Sequence, residues 1–528
     1  MNSTQRSVLS ALRPLLFALN ALLLASCATT QQQKSSLPSQ QQAPEIELVF
    51  AKPSPLTVIS ASPYPTIKAK IDSLIPDSLF PPAHIGIKIV SLKTKETLYE
   101  LNSHSLFNPA SNQKLFTSAT ALTRLGESFP LSTVASLDTT TNTIFIKGFG
   151  DAVFSTENID SLAKLVHAAL PERRTWRVVG DVSYFDNEYW GYGWNWDDEP
   201  EAYQMFLTPL ILNGNTIKLV AKPGKMVGDQ LVAYTEPLTS YVTIENKGVT
   251  VNDSVANPLK LSRKWRERLN VLTVEGEMRL QDTTGEEYDL SVWQPERYAT
   301  QVFAEHLRKH GAIVYETAID TLSPRAHEVA RFSHPLDSVV TYMNKVSDNL
   351  SAETLLKVLA AEKKANPRLP GGQGLAGGGQ AGSAEVGATV VKEFLAENGV
   401  DTTTIRIVDG SGLSRHDLTS PAVIVRLLET LYNSPHFNAY YHSLPIAGVD
   451  GTIKGRMKRT TAEGILRAKT GTLSAVTALS GYVQTADGEW LAFSMMMMNY
   501  TKPARAYRVV QDRIGVFLSE LSRVRMSQ

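Results

Sequence analysis

Asn108-Pro109-Ala110-Ser111-Asn112-Gln113-Lys114-Leu115-Phe116 carries more information than any other stretch of this chain. Apolar residues recur at helical spacing from Asn112 to Leu125 (Leu115, Phe116, Ala119, Leu122). Pro109 sits just ahead, where a fixed φ and a missing N–H suit a helix entry. Ser111 is therefore expected at a helix N-terminus. Lys114, three residues on, returns to the same face within reach of the serine hydroxyl. A Ser-x-x-Lys motif arises by chance about once or twice in a chain this long. Alone it reads as an N-cap serine and a solvated lysine. Two further motifs in order, Ser347-Asp348-Asn349 and Lys469-Thr470-Gly471-Thr472, give it weight.

The flanking pattern supports a mixed fold. Ile85 to Val90 and Leu98 to Leu101 alternate like a hairpin ahead of the first motif. Leu336 to Lys345 and Ser351 to Ala361 read as helices, with Ser347 and Asn349 on the turn between them. Residues 464 to 484 and 489 to 498 read as three strands, with Lys469 on the first and Met495 to Met498 packed in the last. Gln511 to Leu521 reads as a closing helix. About two hundred residues separate Leu125 from Ser323, with strand-like pieces at Thr143 to Lys147, Trp176 to Val182, Thr216 to Ala221 and Leu272 to Leu280. Trp293 to Val314 reads as a short helix ended by Gly311 and leading back to the main body.

The three motifs, in this order, resemble those of penicillin-binding proteins and serine β-lactamases. Asn108-Pro109-Ala110-Ser111, Gly148-Phe149-Gly150-Asp151, Asp409-Gly410-Ser411-Gly412-Leu413-Ser414-Arg415 and Gly448-Val449-Asp450-Gly451-Thr452 narrow the resemblance. They are similar to segments of the D-alanyl-D-alanine carboxypeptidase/endopeptidase family of penicillin-binding protein 4. The resemblance spans about residues 80 to 520 and includes the insertion, since 236 positions separate Ser111 from Ser347. Ala152 stands where that family's pattern leads one to expect proline after Asp151.

The resemblance implies an α+β transpeptidase-like fold, an antiparallel sheet flanked by helices, with a large β-rich insertion. It also implies a serine D-alanyl-D-alanine carboxypeptidase/endopeptidase that acts on peptidoglycan peptides and is acylated by β-lactam antibiotics. Ser111 is then the nucleophile and Lys114 its base. Ser347 relays a proton to the leaving nitrogen, and Asn349 binds the substrate backbone. Lys469, Thr470 and Thr472 face the substrate carboxylate, Gly471 permits close approach, and the Ser111 and Thr472 amides form the oxyanion hole. Lys114 must lose affinity for its proton to act as a base, which burial and a charged Lys469 nearby would achieve. This chemistry calls for neither cofactor nor metal. A serine β-lactamase and a non-catalytic peptidoglycan-binding lipoprotein on the same fold are the alternatives.

Composition sets outer limits. The 528 residues are 43% apolar, enough for more than one folding unit, and 52 basic residues balance 52 acidic ones. No bulk charge favours nucleic acid as a partner. Cys27 is the sole cysteine, so neither an intramolecular disulfide nor a Cys-rich metal site is available. Arg6 and Arg13 precede the apolar run Leu15 to Leu24, followed by Ala25-Ser26-Cys27, the layout of a signal peptide. Leu24-Ala25-Ser26-Cys27 resembles a lipobox, which implies a lipidated Cys27 anchoring the mature chain in a membrane. Ala28 after the cysteine leans toward a periplasm-facing position on the outer membrane. The expected division is signal peptide 1–27, flexible tether 28–45, main domain 46–129 and 327–528, and insertion 130–326.

Other signals are weaker. Gly372-Gln373-Gly374-Leu375-Ala376-Gly377 fits a dinucleotide fingerprint but follows Pro370 rather than a strand. His306 and His310 share a helix face without the glutamate of a zinc-protease motif and read as exposed. No G-x-S-x-G occurs, against an α/β-hydrolase. Trp190, Tyr192, Trp194 and Trp196 read as packing within the insertion, with sugar stacking as the alternative.

Overall fold

The computed structural model describes residues 60–61, 64–80, 83–252, 257–365 and 381–522. Cys27, the tether and the Gly372 to Gly377 segment lie outside these residues. Both ends of the described chain build one sheet of six antiparallel strands, in the order Ser60–Ala61, Thr97–Leu101, His84–Ser91, Trp490–Met498, Val476–Gln484 and Arg467–Leu473. The hairpin ahead of Ser111 forms as its alternation predicts, and its strand His84–Ser91 pairs with Trp490–Met498.

Each strand alternates its side chains between two cores, as a pleat requires. Met495 and Met497 face one core with Ile87, Ile89 and Phe493, under the helices Pro65–Leu74 and Ala504–Glu520. Met496, Ala478 and Tyr482 face the other, filled by Gln113–Leu125, Leu336–Val346, Asn349–Ala365, Ala384–Glu397, Pro421–Tyr432 and Phe437–Ser443. The last helix starts seven residues before the expected Gln511. Gln113–Leu125 is central to this layer: every residue from Gln113 to Leu122 is buried, polar ones included. Two of its buried hydroxyls find carbonyl acceptors, Thr117 Oγ1 donating to Gly410 at 2.7 Å and Ser118 Oγ to Lys114 at 2.6 Å.

The insertion has its own core and is less purely β than expected. A five-stranded sheet, ordered Ile313–Ile319, Thr175–Asp181, Thr143–Gly148, Pro130–Asp138 and His327–Pro335, is covered by the helices Thr156–Ala169 and Pro295–Lys309. Three smaller sheets of two or three strands follow between residues 216 and 291. Three expectations need correction here. His327–Pro335 pairs with Pro130–Asp138 as far as Pro335 opposite Pro130, so the crossing back to the main body lies at Pro335 rather than after 326. Leu272 to Leu280 is two strands, because Gly276 at φ 101° breaks the run and Glu277–Arg279 joins a different sheet. The helix read over Trp293 to Val314 is Pro295–Lys309; Val314 lies in a strand beside Thr175–Asp181, so this helix remains within the insertion.

Candidate active site

The Ser111 turn is clamped from three directions. Ala110–Asn112 is a single 3-10 turn that runs into Gln113–Leu125, with Ala110 in the left-handed region at φ 46°. Asn108 holds this turn: its Oδ1 accepts from the Ala110 amide at 2.9 Å, while its Nδ2 donates to the carbonyls of Ser414 and Asp417. Gly412 and Gly471 press against it from either side. A Cβ at Gly412 would stand 1.8 Å from the Ala110 oxygen, and one at Gly471 2.6 Å from the Pro109 oxygen. Gly471 thus lets the strand Arg467–Leu473 lie against the backbone of the serine turn.

The three motifs meet here. Lys114 Nζ, fully buried, donates to Ser111 Oγ at 3.0 Å, to Asn349 Oδ1 at 2.7 Å and to the Ser411 carbonyl at 2.8 Å. Ser347 caps the preceding helix in the left-handed region, at φ 65°. That conformation points its hydroxyl at Lys469, whose Nζ donates to Ser347 Oγ at 2.7 Å and to the Thr470 carbonyl at 3.1 Å. Asn349 begins the next helix rather than standing free on the turn. Thr470 Oγ1 donates to Thr452 Oγ1 at 2.8 Å, and Thr472 is exposed at the strand's end. Lys345, two residues before the second motif, pairs with Asp450 at 2.7 Å in the Gly448 to Thr452 segment, whose Thr452 meets the third motif.

Burial sets the charge state. It lowers Lys114 to about 8, against the opposing pull of Asp409, Asp348 and Glu353. Lys469 is driven well below the usual lysine range, by burial first and by Lys114 second. The repulsion between the two ammonium groups is mutual, so a charge on either disfavours a charge on the other. The arrangement offers a hydroxyl in contact with an amine that exchanges its proton near neutrality, and a second hydroxyl joined to a second amine.

Several participants carry no signal in the three motifs. Glu353, on the helix Asn349–Ala365, accepts from the amides of Gly410 and Ser411 at 3.1 and 2.7 Å; burial and Asp409 raise it to about 8. Asp409 accepts from the Gly412 and Ser414 amides, both at 2.7 Å. The insertion contributes as well. Trp194 Nε1 donates to Asp409 Oδ2 at 3.1 Å, and the Tyr203 carbonyl accepts from Asn349 Nδ2 at 2.8 Å. Tyr192 stacks on His416 with ring centroids 5.0 Å apart. Packing of this aromatic run purely within the insertion is thus corrected for Tyr192 and Trp194. Asp151 of the Gly148 to Asp151 segment pairs with His334 at 2.9 Å, within the insertion's sheet. His306 and His310 are not free surface groups: both bond Asp160 Oδ1, at 2.6 and 3.1 Å. Among the described residues no cluster of three His, Cys, Asp or Glu could hold a metal ion.

Known proteins resemble this chain in sequence and in fold. The profile of the D-Ala-D-Ala carboxypeptidase 3 (S13) family matches residues 67–521. The chain is 30% identical over 496 residues to a D-alanyl-D-alanine carboxypeptidase of Actinomadura sp. (strain R39), covering 88% of each. It is 23% identical over 435 residues to the D-alanyl-D-alanine carboxypeptidase DacB of Haemophilus influenzae, covering 79% of this chain and 86% of that one. The fold matches the crystal structure of penicillin binding protein 4 (dacB) from Haemophilus influenzae with a TM-score of 0.71 at 21% identity, over 85% of this chain and 99% of that one. With a match over most of its length and a relative at this identity, the chain belongs to the D-Ala-D-Ala carboxypeptidase 3 (S13) family.

Proposed function

We propose that this protein is a serine D-alanyl-D-alanine carboxypeptidase/endopeptidase of the bacterial cell wall, acylated on Ser111. The contact between Lys114 Nζ and Ser111 Oγ at 3.0 Å, in a buried site where the lysine sits near 8, carries this reading. Neutral Lys114 takes the Ser111 proton as Oγ attacks the carbonyl carbon between two D-alanines. The Ser111 and Thr472 amides receive the oxyanion. Ser347, bonded to Lys469, passes a proton to the departing nitrogen; D-alanine leaves and water hydrolyses the ester. An incoming substrate carboxylate favours protonation of Lys469, whose charge, with the Thr470 and Thr472 hydroxyls, then holds that carboxylate. Asn349 holds the substrate backbone. A cross-linked peptide follows the same path with a different amine leaving. With a β-lactam the amine stays tethered, so the acyl-enzyme retains the whole drug.

Release of D-alanine from a muropeptide pentapeptide, followed by chromatography, tests this function. The wild type is expected to turn over and Ser111→Ala to release nothing; equal release by both rules it out. Rapid nitrocefin turnover by the wild type would favour a β-lactamase instead.

The same reading extends to the chain's N-terminal part. Lipidated Cys27 anchors the protein to the periplasm-facing outer membrane, and residues 28–45 give the domain reach, with the main domain interrupted from about 130 to 335. Leu24-Ala25-Ser26-Cys27 supports the anchor. Among the described residues no helix is long and apolar enough to cross a membrane. Cys27→Ser is expected to move the protein from the membrane to the soluble fraction; unchanged fractionation contradicts the anchor.

A further inference from the structure

Two of the three acceptors around Lys114 are held by groups that the insertion touches. Asn349 is bound at both ends, Oδ1 by Lys114 and Nδ2 by the Tyr203 carbonyl. The Ser411 carbonyl belongs to the turn 409–414, which Asp409 closes by accepting the Gly412 and Ser414 amides. Glu353 braces the same turn from below through the Gly410 and Ser411 amides. Asp409 is fully buried, and Trp194 Nε1 is the side-chain donor from the insertion that reaches its Oδ2. A buried carboxylate keeps its position only while its lone pairs are matched.

We propose that Trp194 is a positioning residue for acylation: its indole N–H, through Asp409, fixes the Ser411 carbonyl and so holds Lys114 opposite Ser111. The insertion thereby completes the catalytic centre without contacting the reacting atoms. Loss of the indole N–H leaves Asp409 Oδ2, which also accepts the Ser414 amide, with one donor fewer and lets the turn 409–414 shift. A misplacement of about 1 Å at a reacting group costs on the order of 100-fold in rate. The effect is expected at the chemical step, because among the described residues no hydrogen bond joins Trp194 or Asp409 to the strand Arg467–Leu473.

This inference rests on acylation of Ser111, so penicillin acylation of the full chain is the measurement, resolved into noncovalent affinity and acylation rate constant. Trp194→Phe keeps a ring in place and removes the donor. Its acylation rate constant is expected to fall roughly 10- to 100-fold with noncovalent affinity unchanged. In a cycle with Asp409→Asn, Trp194→Phe is expected to add little further loss, since the bond it removes is already disturbed. Tyr192→Ala removes the neighbouring stack on His416 and leaves the Trp194 bond, so wild-type acylation is expected. Wild-type rates in Trp194→Phe, a loss confined to affinity, additive losses in the cycle, or equal slowing in Tyr192→Ala each overturn the proposal. A wild type that forms no adduct overturns the acyl-serine function along with it. Should Trp194→Phe fold poorly, Trp194→His supplies a ring N–H at this place, and its failure to retain more activity than Trp194→Leu also overturns the proposal.

Discussion

At the scale of single residues, the protein places a serine hydroxyl against a lysine that must be neutral to remove its proton. Lys114 sits near 8 because burial penalises its charge more than the surrounding carboxylates favour it. It is protonated below that value and neutral above it. The second-order rate constant for penicillin acylation is therefore expected to rise with pH and level off above about 8. A flat profile between pH 6 and 9 contradicts Lys114 as the base. Lys114→Ala should lower acylation by roughly 1,000-fold or more, by analogy with removal of one member of a catalytic triad. Stopped-flow acylation kinetics read both effects.

Between elements, backbones approach one another closely at the serine turn. Gly412 lies at φ 80° with no space for a Cβ beside the Ala110 carbonyl. Gly412→Ala therefore combines a strained backbone, costing about 1–3 kcal/mol, with a clash that displaces the serine turn. A lower Tm and a large loss of acylation are expected. Gly455, where nothing lies within 4 Å of a Cβ, is the comparison, and Gly455→Ala should stay within about 0.5 kcal/mol of wild type. The brace at Glu353 titrates. Its carboxyl is raised from 4.5 to about 8, by burial first and Asp409 second. The folded state thus keeps a proton that the unfolded chain releases above about 4.5, and the stability this group contributes is lost as pH rises through 8. Glu353→Gln does not titrate, so its Tm relative to wild type should climb between pH 5 and 8.5. A difference independent of pH contradicts the assignment.

Across the whole molecule, local and distant information separate cleanly. The Ser111 to Lys114 contact is legible in the sequence because helix geometry brings positions three apart to one face. The last three strands are legible because a sheet buried on both faces leaves short, nearly continuous apolar runs such as Met495 to Met498, and the hairpin because its two runs flank a polar turn. The Ser411 carbonyl is not legible, since a backbone acceptor leaves no mark in residue type. The indole of Trp194 and the carboxylate of Asp409 are 215 positions apart and meet only in the fold. The pairing of Pro130–Asp138 with His327–Pro335 was hidden for the same reason, which moved the insertion's end to Pro335. Motif order identified the main body, whereas the insertion's share in the site depends on long-range packing.

Intact mass after incubation with penicillin, on protein lacking residues 1–27, asks whether Ser111 is the nucleophile. One adduct equal to the mass of the intact drug is expected on the wild type and none on Ser111→Ala. An adduct that persists in Ser111→Ala, or no adduct on the wild type, contradicts the acyl-serine mechanism.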